Sequence, residues 1–278
     1  MSDGSNINWP SFGGTAQLVG SSPSGRVTIY VDPTLGADGM QNAQDLLDDA
    51  DRIVAANDQF FATSSGSVNV IVFALPDAQG NPRTDGTGGA DHATCDYVNG
   101  NNLEIDASFG NSARVSALFE AELSECNMGG NLCGVSTGEA LSRWCAAVVS
   151  NNALSDFASA PTWFDRGVPD FVNQTDPTDR SYDSTGCGMA FISWLLSKGY
   201  ALSAIAQGMV ALGTGGTLAQ LYGALTNDDP GNAWPNFQAD VAGLGSSVTT
   251  DDPFGAMPAS RAVLAAIRPR SHRLLPRG

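Results

Sequence analysis

Apolar positions follow two different periods along this chain, and the change of period divides it. The segment RVTIYVDP (26–33) is β-branched and alternating and ends at a proline, which predicts a strand. In MQNAQDLLDDADRIVAANDQFF (40–61), Leu46, Leu47, Ala50, Ile53, Val54 and Ala55 recur at helical spacing with acids on the other face. SVNVIVFALP (67–76) is apolar nearly throughout, as a central strand should be, and NLEIDAS (102–108) predicts a third, short strand. The spacing predicts helices over 111–128, capped by Asn111 or Ser112, and over 136–151, capped by Ser136 or Thr137. Between the second and third strands lies a long Gly-rich loop (77–94), of a length more typical of functional segments than of connectors.

Beyond residue 150 no strand pattern recurs. Helical stretches follow at 152–160, 185–198, 201–212, 216–226 and 234–243, separated by Gly, Pro and Asn-Asp clusters. The expected fold is therefore α+β: a twisted mixed sheet with helices, then an all-α lobe. The expected divisions are an irregular lead-in (1–25), a sheet-and-helix lobe (26–150), a helical lobe (151–260) and a basic tail (261–278).

Charge sharpens that division. The last 18 residues hold five arginines and no acid, so residues 1–260 carry 8 positive and 29 negative charges, a net of −21. An acidic body of this kind repels nucleic-acid phosphates and anionic lipid, whereas the basic tail is a candidate dock for a partner. No apolar run approaches the ~20 residues needed to span a bilayer. The first residues show no signal peptide, a pattern equally compatible with export after a signal has been removed. Five cysteines include no C-x-x-C pair, which argues against a thiolate zinc site. Cys126 and Cys133 flank a loop short enough for a disulfide to close, although buried thiols account for the same residues.

The most informative feature is where glutamate is used. The chain has 24 aspartates but five glutamates, and Glu120, Glu122, Glu125 and Glu139 fall within 20 residues. Glu122 and Glu125 are three apart and share a helix face, while Glu120 points elsewhere and reads as a solvent residue. Glu139 opens the next helix, so carboxylates 122, 125 and 139 can converge. Convergence predicts a metal, an arginine partner such as Arg143, or raised carboxyl pKa values. A structural hydrogen-bond and salt-bridge cluster around Arg143 is the competing account.

The order strand, helix, strand, Gly-rich loop, strand, helix, helix, with Ala121-Glu122-Leu123-Ser124-Glu125 on the second helix, resembles the zincin metallopeptidases of the gluzincin type. In those enzymes that helix bears His-Glu-x-x-His and a mostly helical lobe follows. The resemblance implies that Glu122 is the general base or acid, that Glu139 in Gly138-Glu139-Ala140 is the third ligand, and that Tyr182 faces the site from the helical lobe. Ala121 and Glu125 stand where the two histidines belong. The resemblance therefore implies a divergent, peptidase-related hydrolase with a carboxylate-rich site, or a non-catalytic binding or assembly protein on a peptidase-like scaffold. Its cleft would take a peptide or a glycan.

Zinc hydrolysis of that type needs two neutral imidazoles four residues apart. The chain has two histidines in all, His92 in the Gly-rich loop and His272 in the tail. A site of Glu125, Glu139 and His92 would be oxygen-rich with one nitrogen, suited to manganese, iron or calcium rather than zinc. Hydrogen bonding within its own loop accounts for His92 equally. No G-x-S-x-G elbow occurs, and Cys187 beside two glycines reads as a packing residue. Asn227-Asp228-Asp229 and Asp251-Asp252 lack EF-hand spacing.

Overall fold

The computed structural model describes residues 7–64, 66–76, 79–86, 88–90 and 102–257. The N-terminal part is a five-stranded mixed sheet: β1 (Gln17–Ser21), β2 (Val27–Val31), β3 (Val68–Phe73), the two-residue β4 (Gly89–Ala90) and β5 (Asn102–Asp106), in the order β1-β2-β3-β5-β4. β2, β3 and β5 run parallel, and the edge strands β1 and β4 run antiparallel to their neighbours. α1 (Gly36–Phe61) makes the connection between the parallel strands β2 and β3, the crossover that parallel pairing requires. α2 (Ser112–Met128) and α3 (Ser136–Ser150) follow, and then only helices: α4 (Ala160–Asp165), α5 (Tyr182–Ser197), α6 (Leu202–Leu212), α7 (Leu218–Thr226) and α8 (Ala233–Val241). The protein is α+β, with the sheet N-terminal and an all-helical region after it.

Alternation along each strand decides which face buries what. Val27, Ile29, Val31, Val70, Val72, Leu103 and Ile105 are buried in the main core with the apolar residues of α1 and α2. Tyr30, Ile71 and Phe73 point to the other face, where Trp9, Phe12 and Ala16 cover them. Trp9 meets Tyr30 edge-on at 5.6 Å, and Phe12 meets Phe73 the same way at 5.9 Å. Glu104, on that same face of β5, is fully buried and accepts hydrogen bonds from the Ser11 N–H (2.8 Å), the Ser11 hydroxyl (2.6 Å) and the Phe12 N–H (2.5 Å). The lead-in is thus not merely irregular: it supplies an edge strand and the lid of a second apolar layer.

The helical region is organised around α5, whose residues from Ser184 to Leu195 are all buried. Close approach is possible because α5 carries two glycines. A Cβ on Gly186 would lie 2.4 Å from the Ser159 carbonyl oxygen, and one on Gly188 would lie 2.8 Å from the Ala140 Cβ. Phe237 of α8 packs on Trp163 (stacked, 5.7 Å), Phe191 (5.1 Å) and Trp194 (5.5 Å). The same core cluster runs from β2 to Val248, so sheet and helices share one interior.

Several local expectations are corrected. The stretch 152–160 is a single 3-10 turn (Ser155–Phe157) leading into α4 at Ala160. Asn111 does cap α2, accepting from the Arg114 N–H at 3.2 Å, but α3 is preceded by Val135 with no side-chain cap. α5 is capped by Ser181, and Tyr182 is its first residue rather than part of the preceding loop. Cys133 is disulfide-bonded, whereas Cys126, Cys145 and Cys187 keep their thiols, so of the two alternatives the Cys126–Cys133 closure does not form. Cys187 is fully buried and burial pushes its thiol up to about 12, consistent with a packing role. Among the described residues no helix is long and apolar enough to cross a membrane. The tail beyond residue 257, with its expected docking role, lies outside the described residues.

Candidate functional site

α2 is largely enclosed, with only Ala113 of its residues exposed. Packed between α1, α3 and the sheet, it buries eleven of its 17 positions, and its polar residues are sorted by direction. Glu122 and Glu125 emerge, each partly exposed, into a cavity of about 610 Å³. Glu139, in the first turn of α3, lines the same cavity, as does Tyr182 at the start of α5, whose side chain is 55% exposed. Four of the five candidate residues are therefore brought together by three different helices. The fifth, His92, lies outside the described residues.

α2 and α3 pack along their length, which sets Glu125 beside α3. The Ser142 hydroxyl lies 3.3 Å from Glu125 Oε1 and 3.0 Å from the Glu139 carbonyl oxygen. Burial raises the Glu139 carboxyl above its ordinary value; the nearby Arg143 guanidinium opposes that rise, and Asp179 and Asp251 add to it. Glu139 thus keeps its proton to higher pH than a surface glutamate does. The opposite wall is formed by Asp179, Arg180, Ser181 and Thr185, and Leu75 and Gly88 close the side nearest the sheet. That side is anchored by Arg114, which donates to the Gly86 carbonyl and, in a bidentate pair, to Asp156 at 2.6 and 2.9 Å. The pair holds the Asp156 carboxyl below the usual carboxylate range.

Arg143 does not bond the glutamates. It donates to Asp251 at 3.0 Å, to the Ser159 hydroxyl at 3.4 Å and to the Phe157 carbonyl. Asp251 in turn accepts the Ser159 and Ala160 N–H groups at 2.8 and 2.7 Å, closing the N-terminus of α4. Asp252 accepts from Ser193 and from the Ala256 and Met257 N–H groups. Asp228 accepts from Tyr222 and Asn232. These aspartates serve as hydrogen-bond acceptors for the protein itself.

Glu120 corrects the sequence reading most sharply. It is not a solvent residue but is fully buried, facing α1, where its carboxylate accepts from Asn57 (3.0 Å) and Ser124 (3.2 Å). Its second oxygen has no hydrogen-bond partner among the described residues. Burial raises the carboxyl from 4.5 to about 8, against the lowering effect of Asn57, Ser124 and Arg52. Because the folded-state value lies above the unfolded one, the native state holds a proton that the unfolded chain has released between pH 4.5 and about 8. Stability contributed by this proton is fully present below pH 4.5 and is lost as pH rises through about 8. Glu120→Gln removes this titration, so the mutant's unfolding free energy should fall less steeply than the wild type's across that window. At pH 8 it should exceed the wild-type value by about 2 kcal/mol, the linkage ceiling reduced by relaxation and water entry. Urea melts at pH 5, 6.5 and 8 measure this, and equal slopes against pH in the two proteins would refute it.

Metal ligation is a separate question from pocket formation. Among the described residues there is no group of three or more His, Cys, Asp or Glu side chains that could hold a metal ion. Ala121 offers no donor and Glu125 only carboxylate oxygens, so the described donors do not fit a zinc centre. Fold and pocket define a class and no more: an α+β protein with a carboxylate-lined cleft between its sheet lobe and its central helix. No protein-family profile matches the chain, and no curated protein is significantly similar to it.

Proposed function

We propose that this cleft is the active site of a peptide hydrolase that works by carboxylate acid–base chemistry on a zincin-like scaffold. The observation carrying the proposal is that Glu122, Glu125, Glu139 and Tyr182, from three helices, line one cavity of about 610 Å³. A cavity of that size accepts a short stretch of peptide.

In this reading Glu122 is the general base. It takes a proton from a water whose oxygen attacks the amide carbonyl carbon. Glu139, kept protonated by burial and by Asp179 and Asp251, gives its proton to the amide nitrogen as the C–N bond breaks. Two carboxyls in one site, one ionised and one protonated, are the arrangement this division of labour needs. Glu125 stands beside the Ser142 hydroxyl on the same wall, and the Tyr182 hydroxyl at the rim is placed to bond the substrate backbone.

The test is digestion of a disordered peptide mixture by protein stripped of metal with a chelator, with products read by mass spectrometry. Cleavage is expected, with a rate that falls as pH rises past the raised Glu139 carboxyl, since the acid must be protonated to act. Absence of cleavage at every pH between 4 and 8 would overturn the reading and leave a non-catalytic scaffold.

A further inference from the structure

A second cavity, of about 400 Å³, shares no lining residue with the cleft. It opens where the ends of α1, α3 and α5 meet the α5–α6 turn, between Phe60, Val148, Leu196, Tyr200, Ala201 and Ala256. Its described lining holds no Asp, Glu, Lys or Arg, so it is an apolar groove, a kind of surface that marks an interaction site. We infer that the groove is the docking site of the chain's own segment Ala262–Ile267, which follows the last described residue. This inference does not depend on the chemistry assigned to the cleft.

The place where the described chain stops carries the argument. Asp252 accepts the Ala256 and Met257 N–H groups at 2.9 and 2.8 Å, and Met257 packs on the main core, so the chain is held at the groove as it leaves. Five residues separate Met257 from Val263, a reach of roughly 17 Å when extended, which is ample for a return to a groove that Ala256 already lines. The sequence there matches the lining. Ala262-Val263-Leu264-Ala265-Ala266-Ile267 is uncharged, and Val263, Leu264 and Ile267 have the spacing of one apolar helix face. Charge acts in the same direction, because the five arginines of the last 18 residues face a body of net charge −21. So short a tether gives an effective concentration on the order of mM, which a second copy does not reach in dilute solution. Burial of Val263, Leu264 and Ile267 then needs only a weak intrinsic affinity to fill the groove.

The experiment is brief trypsin treatment of the full chain, with the cut at Arg261–Ala262 followed by mass spectrometry and the cut at Arg273–Leu274, beyond the segment, as internal control. When opening and closing are fast, cleavage tracks the population of the open form. Leu264→Ser with Ile267→Ser removes the apolar contacts. Ala201→Trp fills the groove from a position that is itself exposed, and a thermal melt confirms that this variant is folded. Both changes are expected to speed the Arg261–Ala262 cut at least fivefold and to leave the Arg273–Leu274 cut unchanged. Equal rates in all three proteins would overturn the inference. Faster cutting in the tail variant alone would overturn it as well, since the segment would then dock elsewhere. Protection that grows with protein concentration alongside a dimer on a sizing column would replace the chain's own tail with that of a second copy.

Discussion

Glu122→Gln is expected to lower kcat/KM for peptide cleavage by ~10²–10⁴-fold, the usual contribution of a positioned general base. Glutamine keeps the volume and the hydrogen-bonding oxygen but cannot take a proton. Glu122 is partly exposed at the cavity wall and the swap is isosteric, so the variant should stay folded, which a thermal melt checks. Separating the two readouts is what makes the variant informative. A folded Glu122→Gln protein cleaving at the wild-type rate removes Glu122 from the chemistry, whatever the pocket binds.

The second large effect belongs to Asp251, which is remote in sequence from everything it holds together. Asp251→Ala strips the partner from Arg143, whose side chain is only 12% exposed, and leaves the Ser159 and Ala160 N–H groups without their acceptor. Removing one member of a buried pair costs about 3–5 kcal/mol, because the remaining charge stays desolvated. Chemical denaturation should show that loss as a lower midpoint with an unchanged slope. Arg143→Met with Asp251→Leu should recover much of it, since the double change leaves no buried charge behind. A single mutant within 1 kcal/mol of the wild type would show that Arg143 finds enough in the Phe157 carbonyl and the Ser159 hydroxyl.

These residues show how legible the protein was before its fold was known. α1, β2, β3, β5, α2 and α3 follow from periodicity because each has one strongly apolar face or run. β1 did not, because an edge strand reading Gln-Leu-Val-Gly-Ser is only half covered and carries a glycine at its bulge. Glu122, Glu125 and Glu139 were legible because three-residue spacing and helix order fix their direction whatever packs nearby. Glu120 was misread for a reason that spacing cannot reveal. A residue turned away from one polar face meets solvent only if that side of the helix is free, and here α1 occupies it. Glu104 carried only a faint signal, a lone glutamate between Leu103 and Ile105 in a strand, where alternation puts it on the opposite face from the core. Thr185 carried none; an orphan hydroxyl exists only once its surroundings are built.

The sequence by itself determined the α+β order, the absence of the two histidines a zinc peptidase needs, and the clustering of glutamate on two adjacent helices. Each is a property of residue type and short-range spacing. The tertiary structure decided which glutamates share a cavity and which is sealed inside. It gave Arg143 to Asp251, 108 residues away, rather than to the glutamates. It also left the buried Thr185 hydroxyl without a hydrogen-bond partner among the described residues. Burial and pairing depend on what packs from distant parts of the chain. Local pattern can place a carboxylate on a helix face, but only the fold sets what lies opposite it.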